Sequence, residues 1–143
     1  MQDDAPLRRP LPALDDTNRF FWTSGADGRL RMLRCSACQT YVHPPRPTCP
    51  TCHHADLEPH EVSGRATVVG WTINHHQWHP AFEPPYNIAV VALDDDPSLR
   101  LTTNLILTDP DDIELGLAVE VQFLECDDVW LPLFRPIPHG EAG

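Results

Sequence analysis

The second half of the chain carries short apolar runs that alternate with turn residues. In residues 118–124, Val119, Val121 and Phe123 fall on one face of an extended segment, which is the pattern of a half-buried strand. Acidic turns containing proline separate the runs, and none of them shows the periodicity of a long helix. The pattern predicts a small closed barrel of five strands, over residues 64–73, 87–93, 100–107, 118–124 and 129–134.

Glycine and proline positions predict how this barrel is built. Gly64 and Gly70 would ease the bending of a long first strand. Pro132 places the fifth strand at a sheet edge, or lies at the end of that strand. Residues 109–116 have room for one helical turn between the third and fourth strands, where an OB-fold keeps its helix.

The first half of the chain predicts a short helix and a ribbon. Acidic and hydroxyl side chains at residues 15–17 can cap a helix over about residues 16–24, which Gly25 and Gly28 would end. Residues 29–34 and 41–43 predict the two strands of a hairpin, and residues 53–60 a polar exit from it. The helix holds three consecutive aromatic residues, more than one narrow stripe can bury. Either two of them face the chain's own core, or one or two contact a partner: Phe20, Phe21 and Trp22.

We therefore predict four segments along the chain. Residues 1–14, with three prolines and no periodicity, form an extended lead-in that, if ordered, lies along another chain or domain. Residues 15–60 form the helix and the ribbon, residues 61–138 the barrel, and residues 139–143 a tail.

Four of the five cysteines fall into two Cys-x-x-Cys pairs separated by ten residues. Two such turns can direct four thiolates at one point, the tetrahedral arrangement that structural zinc takes. A closed set of four sulfurs leaves no position for water or substrate, so the metal is expected to be structural rather than catalytic. The predicted ligands of this Zn²⁺ site are Cys35, Cys38, Cys49 and Cys52.

Other uses of these cysteines agree less well with the sequence. Disulfides suit secreted chains, and no secretory leader is expected from the polar, acidic N-terminus. A thioredoxin-like motif needs one pair before a helix, not two pairs around prolines. Iron in a rubredoxin-like cage is the remaining alternative metal. His43, His53 or His54 could replace a cysteine, although four sulfurs are already available.

The connection between the first two barrel strands, residues 74–86, is long and has no secondary-structure signal. Loops of this kind are often functional. Its histidines could indicate a second metal, but Glu83 is the only nearby carboxylate, so a contact loop with aromatic anchors is favoured. The predicted contact residues for a partner or for acyl-CoA are His75, His76, Trp78, Phe82 and Tyr86.

Charge and composition narrow the function further. The chain has 143 residues and a net charge of −11, and its ten basic residues are all arginine. Residues 1–60 are neutral overall, so the excess of acid lies in the predicted barrel. This counts against nucleic-acid and anionic-membrane surfaces there. Without a leader or a long apolar segment, a reducing cytoplasmic setting is expected.

The sequence contains no recognisable set of catalytic residues. The sequence lacks a Gly-x-Ser-x-Gly elbow, a phosphate-binding glycine loop and a Gly-x-Gly-x-x-Gly motif. Cys126 stands among acidic residues that would raise its pKa and make it a poor nucleophile. No catalytic residue is predicted, and the chain is not expected to be an enzyme by itself.

The order of the predicted elements along the chain resembles that of a known protein family. An aromatic N-terminal helix, a four-cysteine ribbon and a five-stranded barrel are similar to OB-fold proteins with a rubredoxin-like zinc ribbon, long described as a domain of unknown function. The matching stretches cover nearly all of residues 20–137, among them FFWTSGADGRLRMLRCSAC, HPPRPTCPTC and PPYNIAVVALDD. One departure is that Gln39 and His53 stand where each cysteine turn of the family usually has glycine, so these two residues must tolerate the tight turn and its local strain.

The resemblance implies an accessory role beside acyl-CoA enzymes. Such proteins are subunits or fused domains that pair with thiolase-fold enzymes, as heterodimers or heterotetramers, while the thioester chemistry stays in the partner. One branch assists the retro-aldol step of steroid side-chain breakdown, together with a hydratase that makes the aldol substrate. The sequence GWTINHHQWHPAF is similar to the corresponding loop of that branch. The alternatives are an acyl-CoA-binding or channelling module, for which Arg29, Arg31, Arg34 and Arg46 are the available cations, and a single-stranded nucleic-acid binder.

Overall fold

The structure is a computed structural model that describes residues 9–138. It contains one short helix, two short 3-10 helices and two antiparallel sheets. The N-terminal elements are α1 (Arg19–Thr23), a 3-10 helix (Ser24–Asp27), β1 (Arg31–Cys35), β2 (Tyr41–Val42) and β3 (Leu57–Glu61). The C-terminal elements are β4 (Arg65–Asn74), β5 (Tyr86–Leu93), β6 (Asp96–Thr103), a 3-10 helix (Pro110–Asp112), β7 (Ala118–Cys126) and β8 (Val129–Pro136).

The prediction of a mainly β OB-fold is confirmed. Five strands in the order β6-β5-β4-β7-β8 form one curled sheet. Its two ends meet where Leu105 makes a parallel bridge to Phe134, and the N–H of Ile106 donates to the Phe134 carbonyl at 2.8 Å. The sheet is therefore a half-barrel closed by a short parallel contact, and β8, which contains Pro132, lies at the end of the sheet.

The ribbon has one more strand than predicted. Residues 53–60 were expected to be a polar exit, but Leu57–Glu61 pairs with the whole of β1, giving the order β2-β1-β3. The prediction was wrong because Leu57 is the strand's one apolar residue apart from Pro59, and its other four residues are all exposed. This strand is held by its backbone hydrogen bonds to β1. Such bonds do not depend on apolar side chains, so the sequence shows no alternating apolar pattern here.

β1 lies between two cores because its side chains alternate in direction. Met32 is fully buried in the main core with Val68, Val91 and other barrel residues. Leu33 points the other way and packs with the cysteine side chains of the ribbon. The ribbon therefore shares one of its strands with the barrel core.

The N-terminal region also differs in detail from the predicted helix over residues 16–24. The α-helical part is one turn, after which a 3-10 helix continues through Gly25 to Asp27, and Gly28 ends it in the left-handed conformation (φ 78°). Asp15 accepts hydrogen bonds from the N–H groups of Thr17 and Asn18 at 2.8 Å, so it caps the turn that leads into α1.

The described part of the lead-in packs on the barrel: Leu11 and Leu14 contact the apolar cluster of Val129, Leu131 and Leu133 on β8. The remainder of the predicted lead-in, residues 1–8, and the predicted tail, residues 139–143, lie outside the described residues. No helix within residues 9–138 has the length and apolar character needed to cross a membrane.

Candidate metal centre and flanking cleft

Two backbone turns place the cysteine pairs. In the first, the N–H of Gln39 donates to the Cys35 carbonyl at 2.8 Å, and in the second the N–H of His53 donates to the Cys49 carbonyl at 2.9 Å. Both turns require a left-handed residue, and Gln39 (φ 67°) and His53 (φ 65°) adopt this conformation without being glycine. The strain expected at these two positions is therefore present.

The two turns bring all four sulfur atoms together. The Sγ atoms of Cys35, Cys38, Cys49 and Cys52 lie within 4.8 Å of one another. Cys35 and Cys52 are 3.5 Å apart at sulfur, and Cys38 and Cys49 are 3.6 Å apart. Four sulfurs around a tetrahedral zinc at about 2.3 Å would stand about 3.8 Å apart, so the cage fits a metal after a small expansion.

The pKa values of the cysteine thiols also indicate that the site suits a cation. The hydrogen bond between the Cys38 sulfur and the Thr40 hydroxyl, which are 3.1 Å apart, lowers the pKa of Cys38 to about 6. At Cys52 the N–H of His54 lowers the pKa, but burial and the adjacent sulfur of Cys35 outweigh it and raise the pKa to about 12. The Cys52 thiol therefore loses its proton only with difficulty, because a negative charge on it would be repelled by the neighbouring sulfurs. A bound cation would remove that repulsion and deprotonate all four.

The neighbouring histidines do not enter the cage. Nδ1 of His54 lies 3.2 Å from the Cys52 sulfur, which places this histidine beside a ligand sulfur rather than in its place. His53 occupies the left-handed turn position, and the ring of His43 packs on Phe21, with the ring centres 5.0 Å apart. Within the described residues, the four cysteines are the one group placed to hold a metal.

A cleft of about 510 Å³ lies beside the ribbon, between the lead-in, α1 and the barrel strands β6 and β8. Its walls include apolar side chains of α1, β6 and β8, among them Phe21, Leu101 and Leu133. His43 lies in the wall, and burial lowers its pKa to about 4, so its imidazole is neutral at pH 7. Arg9 stands at the edge of the cleft, where its guanidinium bonds to the Asn104 side chain at 3.2 Å. Nothing in the sequence pattern around Arg9 or His43 indicated this cleft.

The aromatic residues of α1 serve the chain's own packing. Phe21 is 3% exposed and belongs to the main core, as expected if aromatic residues of α1 face the chain's own core, and its role as a partner contact stays a prediction. Phe20 is partly buried between the main core and the ribbon cluster. Trp22 is partly buried between the main core and the β8 cluster. The helix therefore joins the three apolar clusters.

The predicted contact residues of loop 74–86 separate into two groups. Trp78 is 74% exposed, its ring packs on His76 at 4.3 Å, and its indole N–H donates to the Asn74 side chain at 3.1 Å. His75 is likewise exposed. Phe82 and Tyr86 are partly buried near the cleft, with the Arg9 guanidinium 5.0 Å from the Phe82 ring centre. The tip of the loop is thus a free surface, whereas its return arm extends the wall near Arg9.

Three of the four arginines considered for binding CoA already have partners. Arg29 pairs with Glu61 at 2.9 Å and Arg31 with Asp27 at 2.6 Å. The Arg34 guanidinium lies over the Tyr41 ring, 5.0 Å from its centre. The ribbon therefore offers a polyanion less free positive charge than its sequence indicates.

Comparisons with known protein families match the two parts of the chain separately, and the boundary between the two matches falls within β3. Residues 22–58 match the model described as "ChsH2, rubredoxin-like zinc ribbon domain". Residues 59–124 match the model described as "ChsH2, C-terminal OB-fold domain". The match to a rubredoxin-like ribbon agrees with the four-sulfur cage.

Individual relatives agree with these matches. A "Probable enoyl-CoA hydratase alpha subunit" of Thermomonospora curvata is 42% identical over 136 residues, which are 94% of this chain but only 42% of that protein's length. A "DUF35 domain-containing scaffold protein" of Pyrococcus furiosus is 34% identical over 109 residues, covering 70% of this chain and 78% of the relative. A solved structure named "Ltp2-ChsH2(DUF35) aldolase" matches with a TM-score of 0.80 and 41% identity, over 88% of this chain and 98% of that chain.

Proposed function

The chain belongs to the DUF35 family of proteins with a ChsH2-type zinc ribbon and OB-fold, and from this premise we propose that it is a non-catalytic accessory subunit of a thiolase-fold acyl-CoA enzyme. The observation that carries the proposal is the match to the chain of the Ltp2-ChsH2(DUF35) aldolase, which this protein covers almost completely. The name of that structure joins a DUF35 component to a second component and to an aldolase activity.

The proposed reaction of the complex is the retro-aldol cleavage of a steroid side-chain thioester. The relative named as an enoyl-CoA hydratase subunit supports this proposal by its chemistry. Hydration of an enoyl-CoA gives a β-hydroxyacyl-CoA, which is the class of compound that a retro-aldolase cleaves. A hydratase and an aldolase that both carry this kind of domain would thus act on consecutive compounds.

The metal has a structural role in this proposal. Zn²⁺ held by Cys35, Cys38, Cys49 and Cys52 would fix the ribbon and supply no reactive position, because the four sulfurs fill a tetrahedral site. Two of these sulfurs, Cys35 and Cys49, are fully buried, which suits a closed site. The residues supply the cage, and the ion would join two turns that otherwise repel each other.

Reconstitution tests the proposal. Tagged chain, purified under native conditions from its own host, is expected to bring a thiolase-fold subunit with it in stoichiometric amount. That subunit should be insoluble or inactive when expressed alone, and should cleave a β-hydroxyacyl-CoA when this chain is co-expressed. Full solubility and activity of the subunit alone, or thioester turnover by the purified chain alone, would contradict the accessory role.

The cleft favours a second candidate function, which is binding or channelling of the acyl group. Its volume and its mostly apolar wall suit a small apolar ligand. Calorimetry on the isolated chain with an acyl-CoA and with free CoA distinguishes the two functions. Heat of binding to acyl-CoA without the partner favours the binding module, and its absence favours the pure accessory role.

A further inference from the structure

In an antiparallel pair, alternate residues of a strand direct their backbone N–H and C=O groups toward the partner strand, and the residues between them direct these groups away from it. The hydrogen bonds between β4 and β5 therefore show which residues of β4 point away from β5. The N–H of Asp94 on the β5 side donates to the Arg65 carbonyl at 2.9 Å. Further along β5, the Asn87 carbonyl accepts from the Asn104 side chain, so Asn87 faces β6 and its neighbour Ile88 faces β4. Ile88 pairs with Thr72. The backbone N–H and C=O groups of Trp71 and Ile73 therefore point away from β5.

On that outward side, β4 loses its neighbour halfway along. β7 pairs with β4 only from Arg65 to Thr67. The last contacts follow at Val68, whose N–H donates to Leu117 and whose carbonyl accepts from Gly116, both at 2.9 Å. Beyond it, within residues 9–138, no backbone partner covers the outer edge of residues 69–73. We call this segment the open edge.

The open edge is accessible and has no protection in its sequence. Val69 is 37% exposed and Trp71 38% exposed, and a Cβ atom added to Gly70 would meet nothing within 4 Å. Residues 66–74 contain no charged residue and no proline, the two features that usually prevent a sheet edge from pairing with another chain. A bulge between Val68 and Gly70 is the one irregularity. An uncharged, accessible edge of this kind suits the addition of a strand.

Charge indicates which strand would add. The segment that meets β4 at Val68 has just passed four exposed carboxylates, and residues 101–134 contain no arginine, lysine or histidine. A second copy of the chain would bring an equal acidic segment and a further net charge of −11, which opposes self-association. A strand flanked by basic residues would be attracted instead. The four carboxylates belong to Asp109, Asp111, Asp112 and Glu114.

We propose that the open edge of β4 accepts an extended, basic-flanked segment of the thiolase-fold subunit as an additional antiparallel or parallel strand. This inference rests on the proposed function for the identity of the partner. The backbone of Trp71 and Ile73 supplies the hydrogen bonds, and the exposed side chains of Val69 and Trp71 supply the apolar contact. The acidic segment beside Val68 attracts the flanking basic residues.

Amide-resolved hydrogen exchange tests the pairing directly. In the isolated chain, the amides of Trp71 and Ile73 should exchange rapidly, while that of Thr72, which bonds to β5, exchanges slowly. In the complex with the co-purified thiolase-fold subunit, both should become protected. If the complex forms and both amides still exchange rapidly, the strand addition is wrong while the accessory role stands. If no thiolase-fold subunit binds, both proposals fail.

A pair of variants separates the side chain from the backbone. Trp71→Thr keeps the outward N–H, whereas Trp71→Pro removes it. The proline variant should bind the subunit about fivefold to tenfold more weakly than the threonine variant, which corresponds to one lost hydrogen bond. Arg100→Pro is the control, since Arg100 pairs with Ala92 on the opposite sheet edge and also directs its N–H outward. Equal affinity of the two Trp71 variants, or an equal loss in Arg100→Pro, would overturn the proposal.

The charge argument has its own test. Replacing Asp111 and Asp112 by asparagine should slow association with the subunit severalfold at low salt, and high salt should abolish the difference. The matched control is the same change at Asp127 and Asp128, which lie in the turn between β7 and β8. The same association rate in wild-type and Asp111/Asp112 protein would overturn the assignment of a basic-flanked strand.

Discussion

Protonation of His43 should make the fold sensitive to mild acid. Burial in the wall of the cleft lowers the pKa of this histidine from 6.5 to about 4. The unfolded chain therefore binds a proton at His43 at a pH where the folded chain does not, and stability falls as the pH decreases from 6.5 to about 4. Above pH 6.5 the contribution is complete, because both states are neutral there.

The size of the effect follows from the shift. A displacement of about 2.5 pKa units corresponds to about 3 kcal/mol once the pH lies below both values, and to about 2.5 kcal/mol at pH 4.5. His43 is partly accessible from the cleft, so these figures are upper bounds. Even half of this amount would be a large share of the stability of a small domain.

Urea unfolding at pH 7.5 and pH 4.5 measures this contribution. Wild type should lose about 1–2.5 kcal/mol more than His43→Gln between the two pH values. Acid loss of the metal contributes equally to both proteins and cancels in the difference. His75→Gln, in the exposed loop, is the control and should behave as wild type. An identical acid loss in wild type and His43→Gln would refute the argument.

Three further predictions concern the ribbon and the contact between the 3-10 helix Ser24–Asp27 and the barrel. Cys49→Ser should release the metal and disorder the two cysteine turns, while β1 stays packed on the barrel through Met32 and the barrel strands keep their structure, as metal analysis and amide exchange would show; ordered cysteine turns without metal would contradict the structural role. Gln39→Gly and His53→Gly should each stabilise the metal-loaded protein by about 0.5–1 kcal/mol in urea unfolding, because glycine relieves the left-handed strain, and a loss of stability would contradict that account. Gly25→Ala should destabilise the protein by about 1–3 kcal/mol, since its methyl group would overlap side chains of β7 and β8, whereas Gly70→Ala should leave thermal unfolding nearly unchanged; equal effects of the two would show that packing at position 25 is loose.

The metal cage was predictable from the sequence because its determinants are local. Cysteine pairs two residues apart form their own turns, and the chemistry of sulfur narrows the possible ligands. The strain at Gln39 and His53 was predictable for the same reason, since it depends on a position within a turn. The barrel strands were found from their apolar patterns, although β6 begins at Asp96 and ends at Thr103 rather than covering residues 100–107.

Features that depend on tertiary contacts could not be read from the sequence. The direction of Phe21 is set by the cores that α1 contacts, and three adjacent aromatic residues do not determine it. β3 is held by backbone pairing to β1, and its exposed side chains carry no signal. The open edge depends on where β7 stops pairing with β4, and that point follows from register and curvature rather than from the composition of either strand.

The position of Met32 and Leu33 on opposite faces of β1 has a mechanical consequence. A domain joined by a flexible linker can search for its target, but here one backbone strand serves both halves, and a swivel between them would break two cores at once. The sulfur cage and the far end of β4 are therefore held at a set separation and angle. Partner subunits that bind at both places would therefore be held in a fixed orientation relative to each other by this small protein.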